Sequence, residues 1–235
     1  MSAWQIIKKT YKELYKHIYA VILASFAWFI TGGGLILASI IGLQVGFLLP
    51  LLITLLLLGP ATAGSFYITN RLVNYEQVRI RDFFIGIKEH FLPSLGISLV
   101  WIIMLVVIAV DFNFFLTSQY KILNLLSAFW IYVLIFLAMV TIYILPLLIE
   151  YERQEEDYSL IELGKHALIL TLEELKYTFF IFVNIFIFGS LTSVIFIALP
   201  ILFMGGISLT ANNAAVNLLV KYEVKPEVNG PYDFQ

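Results

Sequence analysis

Six long apolar stretches, none of them containing an Asp, Glu, Lys, Arg or His, run through this sequence: residues 18–41, 43–69, 91–110, 122–149, 177–199 and 201–220. An α-helix rises about 1.5 Å per residue, so roughly 20 apolar residues cross a ~30 Å hydrocarbon core. Inside a bilayer every backbone N–H and C=O needs a partner within the chain, and a continuous helix supplies it. The fold class expected is therefore all-α, a polytopic membrane helix bundle with six transmembrane helices. Composition agrees, with 61% of the 235 residues hydrophobic and 13% charged, against about 25% charged in soluble domains. The first stretch, 24 residues, exceeds the ~7–15 of a signal-peptide core and reads as a retained span. The sixth is the least apolar, preceded by Pro200 and interrupted by Gly205, Gly206, Asn212, Asn213 and Asn217.

The basic residues assign an orientation. Lys8, Lys9, Lys12 and Lys16 precede the first span, and Arg71, Arg79, Arg81 and Lys88 lie between the second and third. Arg153, Lys165 and Lys176 lie between the fourth and fifth, and Lys221 and Lys225 follow the sixth. Of the 14 Lys and Arg residues, Lys121 alone falls on the other side. The positive-inside rule then places both termini and both long loops in the cytoplasm.

Three exits share a pattern: Leu72-Val73-Asn74-Tyr75-Glu76, Leu148-Ile149-Glu150-Tyr151-Glu152 and Leu219-Val220-Lys221-Tyr222-Glu223. Amphipathic stretches around Glu13, Glu89 and Glu174 precede the first, third and fifth spans. The chain is thus expected to form a single membrane domain of three units, residues 1–76, 77–152 and 153–223, with 224–235 as a cytoplasmic tail. Each unit is an interfacial helix followed by a transmembrane hairpin. In this register Gly206 falls opposite Gly59, and Asn217 opposite Asn70. Tyr75, Glu76, Tyr151, Glu152, Tyr222 and Glu223 form a candidate cytoplasmic partner surface.

Catalytic signatures do not emerge. HExxH, GxSxG and P-loop patterns do not occur, and with no cysteine there is no thiolate site. His17 and His166 each follow a Glu by four residues, the spacing of a helical ion pair. The acidic run over residues 150–157 reads as a solvated turn. A net charge of −2 leaves no basic field for nucleic acid. No enzyme activity, cofactor or metal is expected, and no oligomeric state follows from these features.

Two polar patches interrupt the spans. Gly59, Pro60, Thr62, Ala63 and Ser65 form one, and Asn212, Asn213 and Asn217 the other. Small residues four apart let helices approach closely and amides tie them together, while Pro60 removes a backbone donor and is expected to kink its helix. Helix packing is one reading of these residues, and a polar cavity for a small neutral solute is the other.

The string Gly59-Pro60-Ala61-Thr62-Ala63, followed by Asn70-Arg71 and then by Phe83-Phe84 with Ile87-Lys88, resembles the YesL family of bacterial integral membrane proteins, a family of unknown function. The resemblance implies a multi-pass protein of the bacterial plasma membrane. Because members of that family are often encoded beside carbohydrate ABC transporters and polysaccharide-degrading enzymes, it also implies an accessory role in carbohydrate uptake, with an ABC permease or ATPase as partner. A self-contained facilitator is the alternative. An ABC permease proper would need a coupling loop, of which Glu162-Leu163-Gly164 is a faint echo.

Overall fold

The structure, a computed structural model, describes residues 1–46, 49–154 and 159–226, apart from the side chains of 121–123. Among these residues it is all helical. Three short helices, α1 (Ala3–Lys16), α4 (Ile80–Glu89) and α7 (Leu160–Glu173), alternate with three pairs of long ones. The pairs are α2 (Ile18–Gln44) with α3 (Leu49–Val73), α5 (Phe91–Leu116) with α6 (Lys121–Arg153), and α8 (Leu175–Val194) with α9 (Ala198–Lys221). All six long helices are apolar and long enough to cross a membrane, so the chain is a multi-pass membrane protein.

Each short helix starts and stops in the same way. Its first turn is closed by a side chain three residues past the N-cap. Ser2 N–H donates to Gln5 Oε1 at 2.7 Å, Arg79 N–H to Asp82 Oδ2 at 2.7 Å, and Ser159 N–H to Glu162 Oε2 at 2.9 Å. At Ser2 and Ser159 the contact is reciprocal, the serine Oγ accepting from the N–H three residues on; at Arg79 only the backbone N–H takes part. Each contact satisfies donors that the helix leaves open. Each then meets the following span at a single joint residue, His17, His90 or Glu174. The joints share one conformation, with φ/ψ of −115°/36°, −98°/17° and −114°/41°. One residue outside helical geometry turns the chain from the short helix into the span without exposing more than one turn of backbone.

The long helices divide into an inner and an outer set. The second member of each pair, α3, α6 and α9, packs against the other two. The first members, α2, α5 and α8, flank this inner trio. Buried residues make up 61% of the most apolar stretch of α9 and 11% of that of α5, so α9 is enclosed by protein while α5 turns most of its surface to lipid. Each inner helix also packs on elements of the next pair: α3 on α4 and α5, α6 on α7 and α8, and α9 on α1 and α2. The last contact closes a ring. The core follows this plan, with Leu147, Leu148, Tyr143, Ile181, Ala214 and Leu218 packed together.

Glycines set two of these crossings. A Cβ on Gly59 would lie 2.0 Å from Ser98 Oγ and 2.6 Å from Ser94 O. One on Gly205 would lie 2.8 Å from Ser25 Oγ and 2.3 Å from Val21 O. Ser25 and Ser98 each stand eight residues past the joints at His17 and His90, so the two crossings are equivalent. Gly205 therefore matches Gly59, one residue earlier than the Gly206 that the exit register indicates. Gly206 packs instead on the Phe188 ring.

Other expectations shift as well. The long helices run past the expected limits, to Gln44, Leu116 and Arg153. Asp111 thus falls inside α5 and Glu150 inside α6, so these two helices do carry carboxylates. Glu150 is not part of a solvated turn but fully buried; residues 155–157 of that acidic run lie outside the described residues. α3 runs through Pro60 as one helix. α2 absorbs a π-helical turn over Phe29–Gly33.

Candidate functional site

Polar chemistry gathers where α3 and α6 end beside the joint at His90. Both helices emerge on the face that carries the short helices, and the segment after α9 folds back to meet them. At its centre is Glu150, fully buried. Asn70 Nδ2 donates to Glu150 Oε1 at 2.7 Å and Asn74 Nδ2 to the same oxygen at 3.0 Å. Lys225 Nζ donates to Glu150 Oε2 at 2.5 Å and to Asn74 Oδ1 at 2.7 Å. Asn70 and Asn74 are four apart on α3, so one turn of helix presents both amides to a single carboxylate. A buried carboxylate is tolerated only when paired and hydrogen-bonded, and both conditions hold here. Burial pushes the Lys225 ammonium below the usual lysine range while Glu150 pulls it back.

Lys225 reaches Glu150 because of how α9 ends. Glu223 takes φ = 60°, and Val224 N–H donates to Leu219 O at 2.9 Å while Glu223 N–H donates to Val220 O at 3.1 Å. This left-handed cap reverses the chain. α3 ends in the same motif, with φ = 58° at Tyr75 and Glu76 N–H on Arg71 O at 2.9 Å. The left-handed residue is the Tyr of one exit and the Glu of the other, so the exits align one residue out of step. α6 has no such cap and continues through Tyr151 and Glu152 as helix.

Beside this cluster opens a cavity of about 360 Å³ lined by Tyr67, Asn70, Arg71, Glu76, Glu89, His90, Ile149, Glu152 and Arg153. Its basic groups are engaged. Arg71 Nε lies 3.0 Å from Glu76 Oε2, and its Nη1 donates to Asp82 Oδ1 at 3.2 Å. Arg153 pairs with Glu76. His90 is 1% exposed, and burial lowers its pKa to about 4. Glu152 Oε2 stands 2.6 Å from its Nδ1, a contact that by itself favours the imidazolium. Neither ring nitrogen has an aligned hydrogen-bond partner, so desolvation prevails and the ring is neutral at pH 7.

The residues of the two polar patches lie elsewhere, deep between helices. Trp28 Nε1 donates to Thr62 Oγ1 at 3.2 Å, and Ser65 Oγ donates to Ala24 O at 3.0 Å, both tying α3 to α2. Ala63 is fully buried in the core. Asn212 Nδ2 donates to Phe66 O at 3.0 Å and Thr69 Oγ1 at 2.8 Å, tying α9 to α3. Asn213 Nδ2 donates to Glu13 Oε2 at 2.7 Å and Thr10 Oγ1 at 3.2 Å of α1. Asn217 accepts from the Met1 ammonium at 2.9 Å and donates to Tyr177 OH at 3.3 Å. A second cavity, about 430 Å³, sits at the opposite end beside Ser118, Gln119, Asn124 and Leu125.

The exit residues are split among different surroundings. Tyr151 is buried and its OH meets His166 Nδ1 at 2.8 Å, so it cannot belong to a partner surface. That contact, rather than Glu162, is the partner of His166; Glu162 closes the cap of α7 and its carboxyl is held below the usual range by the Ser159 N–H. Likewise Glu13 pairs with Lys9 and Asn213, not His17. Tyr222 OH donates to Glu174 Oε1 at 3.1 Å. Glu76 lines the cavity, while Glu152, Tyr222 and Glu223 are exposed.

Residues 40–112 match the model of the family described as "Protein of unknown function, DUF624". The YesL-like resemblance carried by Gly59-Pro60-Ala61-Thr62-Ala63 is consistent with that match. The DUF624 segment runs from the end of α2 through α3 and α4 into α5, so it contributes Asn70, Asn74, Arg71, Glu76, Glu89 and His90. Glu150, Glu152, Arg153 and Lys225 come from outside it. No curated protein and no solved structure matches the chain.

The sequence by itself marks neither Lys225 nor Glu150 as a site residue. Glu150 sits at the border of an apolar run, where hydropathy cannot tell a buried carboxylate from a hydrated one. The signal that could have found it is the Asn70/Asn74 pair, two amides facing one side of an exit.

Proposed function

We propose that this protein is a non-enzymatic partner subunit of an ABC-type carbohydrate importer in a bacterial plasma membrane, with its short-helix face in the cytoplasm. One observation carries the scaffold reading: the amide N–H groups of Asn212, Asn213 and Asn217 and the hydroxyl of Ser65 all donate to groups on neighbouring helices. Polar groups used in this way hold helices together and leave the interior a packed core. The association with sugar uptake rests on the family resemblance, and the orientation on the basic residues that border the short-helix face. The docking surface would be formed by Tyr75, Glu76, Glu152, Tyr222 and Glu223.

Affinity purification from mild-detergent membranes, followed by mass spectrometry, tests this reading. A permease or its ATPase should copurify in near-stoichiometric amount. Isolation of the chain alone, together with unchanged sugar uptake in a deletion strain, would overturn it. Maleimide labelling of Glu173→Cys from the cytoplasmic side only, and of Gln119→Cys from outside, checks the orientation.

One feature favours the facilitator instead. Asn212 Oδ1 and Asn213 Oδ1 are buried without a hydrogen-bond partner, as acceptors for a passing solute would be. Under that reading Asn213→Leu lowers solute flux into liposomes, and unchanged flux removes it.

A further inference from the structure

We infer that α1 is a docking surface for anionic phospholipid headgroups of the leaflet it borders, with Lys8 and Lys12 on their phosphates and Trp4, Tyr11 and Tyr15 at headgroup level beside them. The inference does not depend on the partner-subunit reading.

The three short helices hold equivalent places, each ending at a joint from which an apolar span begins. Their charges differ. α1 carries Lys8, Lys9, Lys12 and Lys16 against Glu13 alone. α4 balances Arg81 and Lys88 with Asp82 and Glu89, and α7 sets Lys165 against Glu162 and Glu173. A surplus of positive charge thus marks one helix of the three, and a place in the fold that all three share does not account for it.

α1 has three faces. Ile6, Ile7 and Thr10 form the buried one, packed on α8 and α9. It is pinned there by Asn213 Nδ2 donating to Thr10 Oγ1 and Asn184 Nδ2 donating to Tyr11 OH, both at 3.2 Å. The other faces are therefore held in a fixed orientation. Trp4, Tyr11 and Tyr15 follow at helical spacing along the second face, and all three are exposed. Lys8 and Lys12 lie along the third, exposed and one turn apart, about 6 Å along the axis, and Lys16 continues the row. Lys9 pairs with Glu13 at 3.7 Å. Among the described residues no carboxylate pairs with Lys8 or Lys12. Lys8 Nζ stands 5.3 Å from the centroid of the Trp4 ring, a cation–π contact that joins the aromatic and basic faces.

The order of faces, protein then aromatic then basic, is that of a helix lying at a membrane surface. Trp and Tyr settle at headgroup level, with an apolar ring body and a polar edge, and lysines beside them extend their ammonium groups to the phosphates. An anionic leaflet attracts such lysines, each strengthening the association about fivefold. An acidic protein surface would also match the lysines. The aromatic residues favour lipid, because the exposed Tyr19 carries the same chemistry past the joint into α2, which crosses the bilayer.

Native mass spectrometry of the full chain, released from nanodiscs holding equal phosphatidylglycerol and phosphatidylcholine, reads the preference. The wild type should retain phosphatidylglycerol at least about fivefold over phosphatidylcholine. Lys8→Gln with Lys12→Gln should abolish most of that preference, and Lys165→Gln, on exposed α7 surface, should leave it unchanged. Both α1 lysines are exposed, so the double variant keeps its fold, which an unchanged thermal unfolding midpoint verifies. Fluorescence locates the lipid: the difference between wild type and Trp4→Phe isolates the Trp4 signal. Phosphatidylglycerol brominated near the headgroup end of its chains should quench that signal more than phosphatidylcholine brominated alike, and the double lysine variant should remove the contrast. Equal retention of the two lipids by the wild type, a preference that survives in the double variant or falls equally in Lys165→Gln, or Trp4 quenching indifferent to headgroup overturns the assignment. Equal retention together with polyglutamate binding that the double variant loses would give the lysines to an acidic protein instead.

Discussion

Lys225 and Glu150 show what a single pair decides. Glu150 ends a span, fully buried, and its neutralising cation arrives from beyond the last helix. Removing one partner of a buried pair leaves an uncompensated charge, which costs about 3–5 kcal/mol. Lys225→Met should therefore lower the thermal unfolding midpoint of the detergent-solubilised protein sharply. Adding Glu150→Gln should restore most of the loss, because Asn70 and Asn74 can still hydrogen-bond a neutral amide. A double variant no more stable than Lys225→Met would mean that the pair acts through packing and not through charge. By sequence alone Glu150 reads as solvated, because it opens a run of acids. Burial depends on what folds over a residue from elsewhere, and a lysine 75 residues away leaves no local trace. The amides of the spans were legible, since an Asn in an apolar helix has few alternatives to bonding a neighbouring helix.

At the scale of elements, glycines divide into those that set a crossing and those that do not. Gly205 lets α9 meet the backbone of α2, whereas Gly164, inside α7, has open space where a Cβ would go. Gly205→Val should destabilise by about 1–3 kcal/mol through overpacking. Gly164→Ala should stabilise by roughly 0.5–1 kcal/mol, the usual helix-interior gain. Thermal unfolding of the two variants side by side checks both signs; a harmless Gly205→Val would show that the crossing can spread. The existence of the short helices was legible from their amphipathic spacing. Their shared start was present in the sequence as Ser2/Gln5, Arg79/Asp82 and Ser159/Glu162, but the middle instance departs from the usual Ser or Thr cap and hides the recurrence. The joints at His17, His90 and Glu174 share a conformation, but the side chain recurs at only two of the three, so the backbone is what reveals them.

For the whole molecule, hydropathy located six spans because length and apolarity alone decide that a helix can cross a bilayer. It could not sort them into inner and outer, since a leucine facing lipid and a leucine facing another helix have the same hydropathy. The ring is the result, and its closure is testable in a chain that has no native cysteine. Thr10→Cys with Asn213→Cys joins positions whose side chains meet between α1 and α9. A short bismaleimide should couple them within one chain. When a protease site is placed in the connection between α6 and α7, the two fragments should then migrate together on a denaturing gel. Fragments that separate after treatment would exclude the closed arrangement.

The ring also dictates an order of events during synthesis. The helix that completes it, α9, leaves the ribosome after the other five spans, and Lys225 follows it. Until then α2 waits in the membrane with the seat for Gly205 empty, and Glu150 waits with its carboxylate unmatched. A ribosome that stalls before residue 225 would release six inserted helices around an unneutralised charge, the kind of defect that membrane quality control can detect. The lysine that seals the site thus also reports that the chain has been read through α9.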